Sequence, residues 1–457
     1  MSEARAALPL GVLPLVRPVR WFRPWLLGII YALALLPMSL YPRQSAYTLS
    51  KVMTIEAFIE RGTLAVERTP IWKKARPVDI VRFGPHYYSD KPPVLSVIAS
   101  PIYMVMVMMD IRFTGSEFQY TIDILALTWF VVGVSSSLTL VWLRRIFQAV
   151  PISPILADLL TLGFGFGTLI LTYGVTFKNH SVAAALITGA MARVLLEPIG
   201  PQASRSRFFA GYLVGLAVTI DIPVGGVMLA SLGLLQSYRA RSIPWSFLIG
   251  ASLPLLLHAG LQSLVTGSLL PAEIDPAAFD FPGSYWTDPA NVWHEHGPRW
   301  RFGIELLIGP RGWLTVTPVL AFGMVGLGLA LSRKSDRFRP MAWVVASSVV
   351  VLVCYYTWGV RRTDFGGDSF GTRHLLAITP ACYLFAVVAL QRFKRWKLVP
   401  ALFVLAMLIG SVYAVIGMKD PWKPIEEVWK TDPWLGAVQR LVIYPRSQNL
   451  EKDESPR

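Results

Sequence analysis

Gly84-Pro85-His86-Tyr87-Tyr88-Ser89-Asp90-Lys91-Pro92-Pro93 runs directly into an apolar segment, 93–109, that ends Met106-Val107-Met108-Met109. Whether that segment crosses a bilayer decides the side on which every later loop lies. It is apolar and long enough to be a candidate for spanning ~30 Å of hydrocarbon, so length alone does not settle the matter. Charge does. Suppose 93–109 stays on one side and 207–236 forms two short spans hinged at Asp221-Ile222-Pro223. The loops sharing a side with the N-terminus (1–24, 144–152, 197–207, 237–245, 332–340 and 391–397) then hold 18 Lys+Arg against three acids. The other side (42–119, 266–312, 359–372 and 417–457) holds 22 of each sign. A basic excess confined to one set of loops is the positive-inside pattern. Letting 93–109 cross would push Arg144-Arg145 and Arg205/Arg207 outside, so the segment is read as membrane-embedded but non-crossing.

Composition widens this reading. Of 457 residues, 54% are apolar and only 16% are charged, where a soluble domain carries about a quarter charged. Clear spans fall at 25–41, 120–143, 153–173, 180–196, 243–265, 313–331, 341–358, 374–390 and 398–416. With the 207–236 pair, the expectation is an all-α, polytopic helical bundle of about 11 transmembrane spans with a cytoplasmic N-terminus. Residues 1–416 form one membrane domain, with outer loops 42–119 and 266–312, and 417–457 form an outer tail. Segment 44–61 reads as a helix lying at the interface.

Arg17, Arg20 and Arg23 lead straight into a full-length span, so the first helix reads as uncleaved. Cys354 and Cys382 lie inside apolar segments, which argues against a disulfide. The net charge of +15 is accounted for by orienting residues beside spans, and no basic-aromatic groove suggests nucleic acid. No internal repeat is evident, and Glu451–Arg457 reads as a disordered end.

Nearly all carboxylates face outward, so chemistry is expected on the outer face. Glu56 and Glu60 share one helix face, either as a solvated pair or as a functional one. Pro92-Pro93 starts the 93–109 helix cleanly. Lys91 then stands at a helix N-terminus, where an anion is favoured, or snorkels at the interface. A second outer turn, Tyr173-Gly174-Val175-Thr176-Phe177-Lys178-Asn179-His180, sets Lys178, Asn179 and His180 at the membrane surface, with a structural role for His180 the plainer alternative. A third runs from Trp358-Gly359 through Gly366-Gly367-Asp368-Ser369-Phe370-Gly371-Thr372-Arg373-His374. Arg373 at that depth needs an anionic partner, Asp368 or a bound phosphate. His294 and His296 make only a weak H-x-H, and no metal-ligand spacing stands out.

In order and sidedness these motifs resemble the GT-C type polytopic glycosyltransferases, the group containing the lipid A aminoarabinose transferase and the protein O-mannosyltransferases. The match extends from about Tyr31 to Ala414. Its signatures are Glu60-Arg61-Gly62-Thr63, then Gly84 to Pro93; the Tyr173–His180 turn; a short hairpin with a polar hinge at Asp221; Pro310-Arg311-Gly312; and Gly366–Pro380. The resemblance implies sugar transfer from a polyprenyl-phosphate donor to an acceptor hydroxyl on the outer side of the cell (inner) membrane. It implies a catalytic acid residue in the first outer loop and a donor-phosphate contact from the lysine before the diproline. The family's Asp-Glu pair some dozen residues before Gly62 is replaced here by Tyr47-Thr48-Leu49-Ser50-Lys51, and Asn179-His180 replaces an aspartate common in relatives.

The resulting site has Asp90, Glu56 or His180 as catalytic base and Lys91 with Arg373 on the donor phosphate. Tyr87, Tyr88, Asn179, Asp368 and His374 are placed around the substrate, with no metal and no cofactor. Partners are the lipid-linked sugar, a lipid, glycan or protein acceptor, and membrane lipid. The alternatives are a transporter or flippase for a lipid-linked solute, a polymerase or ligase of surface polysaccharide, and a non-catalytic relative.

Overall fold

The computed structural model describes residues 22–39, 46–74, 78–113, 122–197, 202–287, 298–360, 363 and 365–431. His294, His296, Arg17, Arg20 and most of the 417–457 tail lie outside them.

The first helix, α1 (Phe22–Met38), turns Gly28, Tyr31 and Leu35 inward and leaves Leu26, Ile29, Leu33 and Leu36 exposed. An apolar face with no protein partner is what lipid covers. Next come α2 (Ala46–Arg61) and the short α3 (Pro70–Lys74). Then the chain departs from the all-α expectation. Ile80–Phe83 (β1) and His86–Ser89 (β2) pair as an antiparallel hairpin, with Val81 opposite Tyr88 and Phe83 opposite His86. The reason is local. Two runs of β-branched and aromatic residues flank Gly84-Pro85, and Gly84 adopts φ +60°, as a tight two-residue hairpin loop with glycine first requires. The helix α4 (Val94–Met108) starts after the diproline and packs on α2. Its 15 residues reach about 22 Å.

The bundle proper begins with α5 (Ile122–Leu127), which passes through a π turn into α6 (Val134–Gln148). Then follow α7 (Pro154–Gly167), α8 (Leu169–Gly174), α9 (Asn179–Leu195), α10 (Gln202–Ile220), α11 (Ile222–Ala240) and α12 (Trp245–Thr266). After the 266–312 segment, which carries α13 (Arg299–Ile308), come α14 (Trp313–Val316), α15 (Leu320–Ser332) and α16 (Arg339–Cys354). The chain closes with α17 (Thr379–Tyr383), α18 (Ala386–Arg392), α19 (Leu398–Lys419) and α20 (Ile425–Thr431).

Four of these stretches are long and apolar enough to cross a membrane unaided: Ile124–Gln148, Trp245–Thr266, Arg339–Gly359 and Leu398–Lys419. A fifth exists if Arg299–Val316 and Leu320–Ser332, bent by 108°, count as one. Several expected spans are interrupted rather than continuous. Segment 153–173 breaks at Thr168, whose extended backbone (φ −133°, ψ 167°) lets its hydroxyl accept from the Ile170 N–H and donate to the Phe164 carbonyl. Segment 374–390 is a short turn followed by α17 and α18. Pro318 separates α14 from α15, where it removes an N–H donor. The hinge expected at Asp221 is present: α10 ends at Ile220, and the chain folds back so that Gly225 lies against the Val218 backbone. The pair α10 and α12 packs closely because Gly211 and Gly250 leave room for the Phe247 and Phe208 carbonyls, the small-residue contact common between membrane helices.

The loops segregate by end. Arg144 and Arg23 both pair with Asp158 near the start of α7, and Arg207 pairs with Glu197. The other end of the same helices gathers the polar groups described next.

Candidate active site

The hairpin register sets two carboxylates side by side. With Ile80 opposite Ser89, the next pair outward is Asp79 and Asp90, and the Asp90 N–H donates to the Asp79 carbonyl at 3.3 Å. Both side chains are buried. Lys91 closes over them, its Nζ 2.9 Å from Asp90 Oδ2 and 3.3 Å from Asp79 Oδ2. A third carboxylate, Glu273, comes within 3.8 Å of the same Nζ. It is carried by a short turn, Ala272–Ile274, packed on the hairpin through Val81, Ala272 and Ala278. Burial and then Asp79 push Asp90 up to about 7 against the pull of Lys91. Glu273 is likewise raised, by burial first. Burial alone would lower Lys91, but Asp79, Asp90 and Glu273 outweigh it and hold the ammonium above its ordinary value. Three carboxylates sharing one cation repel one another, so one of them is held close to its protonation point.

Cations flank this group. Lys51, on α2, is 2% exposed, and its Nζ has no hydrogen-bond partner among the described residues. Ser89 Oγ donating to Ser50 Oγ (3.0 Å) and Ser96 Oγ donating to the Lys51 carbonyl (3.3 Å) lock that stretch of α2 to β2 and α4. Burial, then the neighbouring charges of Lys91 and Arg373, pull Lys51 down to about 8, with Asp79 and Asp90 opposing. Lys178, buried at the start of α9, lies 4.6 Å from the Trp422 ring centroid, and the Arg373 guanidinium lies 5.4 Å from the same ring. Burial lowers Lys178 most, with Lys51 and Arg373 adding to it. Gly366, at φ +104°, makes room for Arg373, whose Nε occupies the space a Cβ would need. Lys91 and Arg373 are thus brought to one end of the molecule, with Lys51 in the electrostatic reach of both.

The remaining sequence candidates divide. His180 Nδ1 is 2.7 Å from Asp221 Oδ2, and Asn179 Nδ2 donates to the Ile220 carbonyl at 3.1 Å. Both residues therefore fasten the α10–α11 hinge to α9. Asp221 acts electrostatically on Glu273, so this hinge belongs to the same end as the hairpin. His374 stacks on Tyr356, with centroids 4.4 Å apart at 13°. Asp368 acts on Tyr285 of the 266–312 segment. Tyr87 packs against Trp72 and Phe281, and Tyr88 joins Val81 and Ala272, so both tyrosines hold the hairpin to its surroundings. Glu56 lies on another seam. Burial and then Glu60 push it up to about 7, and Glu60 itself accepts from the Tyr103 hydroxyl at 2.7 Å. Among the described residues no group of His, Cys, Asp and Glu is arranged to hold a metal ion.

Asp79, Lys51, Glu273 and Trp422 were not among the residues the sequence singled out. The β pattern around Gly84-Pro85 was the signal that pairs Asp79 with Asp90. Nothing local marked Glu273 or Trp422, which reach the site only through tertiary packing.

No protein-family model and no curated protein matches the chain. Solved structures do. ArnT from Cupriavidus metallidurans bound to undecaprenyl phosphate is 13% identical over 92% of this chain and 81% of that one, with a TM-score of 0.49. The Archaeoglobus fulgidus oligosaccharyltransferase, in complex with Zn and sulfate, is 13% identical over 94% of this chain and 58% of that one, with a TM-score of 0.50. The resemblance is to GT-C type glycosyltransferases. At this identity the likeness is one of fold, and the chain spans less than two thirds of the oligosaccharyltransferase.

Proposed function

We propose that this chain is a membrane glycosyltransferase, moving a sugar from a polyprenyl-phosphate donor to an acceptor hydroxyl at the outer face by a single inverting displacement. The observation that carries this reading is the hairpin base, where the buried Asp79–Asp90 pair meets Lys91 beside Lys51, Lys178 and Arg373. A carboxylate held near neutrality can accept a proton from a hydroxyl at physiological pH, and fixed cations stabilise a departing phosphate. In this reading Asp90 takes the acceptor proton as the oxygen attacks the anomeric carbon. The bond from that carbon to the phosphate oxygen breaks, and its electron pair leaves on the lipid phosphate, facing Arg373 and the lysines clustered beside it. The leaving group then needs no proton. Glu56 is disfavoured as the base by its place on a different seam, and His180 by its engagement with Asp221.

Eleven crossings follow if each interrupted pair (α5–α6, α7–α8, α14–α15, α17–α18) is one span and α4, at about 22 Å, does not cross. The site then faces outward, with Arg144, Arg207 and Asp158 at the cytoplasmic end. The test is purified protein in liposomes, supplied with a panel of undecaprenyl-phosphate-linked sugars and hydroxyl acceptors. Release of undecaprenyl phosphate with one donor, lost in Asp90→Asn, supports transfer. Movement of the lipid-linked sugar across the bilayer without release would support a flippase instead.

A further inference from the structure

Lys91 is the cation that sequence position marks for an anion, yet its charge is already met by Asp79, Asp90 and Glu273 at 2.9–3.8 Å. The unmet charge lies one helix away. Lys51 is buried to 98%, with no hydrogen-bond partner for Nζ among the described residues. A buried ammonium left this way is costly unless a ligand completes it. Among the described residues no carboxylate is dedicated to it. Lys91, Arg373 and Lys178 act on it from the cationic side; Asp79, Asp90 and Glu273, which it feels as well, are the three already gathered on Lys91. Lys178 and Arg373 are held in place by the shared Trp422 ring, and α2 is held by Ser50 and Ser96. The three cations come from separate elements, Lys51 from α2, Lys178 from the residue before α9 and Arg373 from the turn before α17.

We infer that Lys51 is a phosphate ligand of this chain, completing with Arg373 and Lys178 a pocket for the anionic headgroup of a lipid donor, while Lys91 serves chiefly to gather the carboxylates. This rests on the transfer reading for the identity of the lipid, but not for the existence of the anion pocket. The partner is the phosphate of a polyprenyl monophosphate. Free inorganic phosphate carries the same chemistry without the lipid.

The experiment is binding, with neither sugar nor acceptor present. Full-length protein in detergent is titrated with undecaprenyl phosphate and, separately, with inorganic phosphate, and thermal stabilisation is followed. Lys51→Met keeps length and removes charge. It is expected to fold with an unchanged or higher melting temperature in the absence of lipid, and to bind undecaprenyl phosphate about 10- to 100-fold more weakly, the loss of one charge-assisted bond. Lys51→Arg retains most of the affinity and serves as the test should the methionine variant misfold. In the unmodified chain binding weakens as pH rises through about 8, because the ammonium that grips the anion is being lost; Lys51→Met flattens that dependence, leaving the part due to Lys178, which burial also lowers. Affinity of Lys51→Met within twofold of the parent overturns the inference. Inorganic phosphate protecting as well as the lipid, at equal concentration, overturns the headgroup assignment. Lipid binding through Lys51 without sugar transfer leaves the pocket standing and ends the transferase reading. Transfer with lipid binding unaffected by Lys51→Met does the reverse.

Discussion

Asp90 has the sharpest functional signature of any single residue here. Burial and Asp79 raise it to about 7, so the base form fills as pH rises through neutrality. Transfer should climb between about pH 6 and 8, above which loss of the Lys51 ammonium weakens donor binding. Asp90→Asn should cost at least about 100-fold in turnover, within the range a general base contributes. Stability should move the opposite way. A carboxyl whose folded value exceeds its unfolded one binds more protons in the native state between those values, so stability falls as pH rises across that window and stays lower above it. Asp90→Asn, which cannot ionise, is therefore expected to match or exceed the parent melting temperature at pH 8. A large drop there would mean the charged pair with Lys91 stabilises the fold more than its burial destabilises it. His180 predicts a contrasting outcome. Its bond to Asp221 at 2.7 Å fastens a helix hinge, so His180→Ala should lower the melting temperature as well as activity, whereas Asp90→Asn lowers activity alone.

At the scale of elements, the β1–β2 hairpin positions the carboxylates, and a test that leaves them untouched is available. Gly84 sits at φ +60°, with open space where a Cβ would go. Gly84→Val has room for its Cβ there but forces a β-branched residue into a left-handed conformation, at roughly 1–3 kcal/mol. A lowered melting temperature together with reduced transfer would show that the hairpin holds Asp79 against Asp90; full activity at reduced stability would show that it does not. The same element shows what the sequence made legible. Apolar runs and the break at Asp221 were readable because hydrocarbon demands long apolar stretches, and the line-up of Asp90, Lys91, the diproline and α4 followed from proline chemistry. The hairpin was missed because Gly84-Pro93 was read as one polar stretch, without the β-branched run Ile80-Val81 that precedes it. The break at Thr168 was hidden because Gly-Phe-Gly-Thr is apolar enough to pass for a continuous span. Glu273 is a lone acid in a long loop, and only the packing of Ala272 on Val81 brings it to Lys91.

On the scale of the whole molecule, one alternation governs everything: Lys51, Lys91, Lys178, Asp221, Glu273, Arg373 and Trp422 lie at one end, and Asp158 with its arginines at the other. Arg23 and Arg144 share Asp158, so α1 and α6 return to one end and α4 does not cross between them. If the basic loops mark the cytoplasmic end, Ser335 lies there and Ser268, also exposed, lies at the opposite face. Introducing Ser268→Cys or Ser335→Cys into a chain lacking Cys354 and Cys382 makes the assignment measurable. A membrane-impermeant thiol reagent applied to intact cells or spheroplasts should label the 268 variant and leave the 335 variant unlabelled until the membrane is opened. The reversed pattern would mean that the whole bundle is inverted in the membrane, and the buried carboxylates and cations would then face the cytoplasm. Soluble nucleotide-sugar donors would then be within reach of the site as well as lipid-linked ones, whereas the expected pattern leaves lipid-linked donors alone, so the labelling narrows the donor class before any sugar is identified.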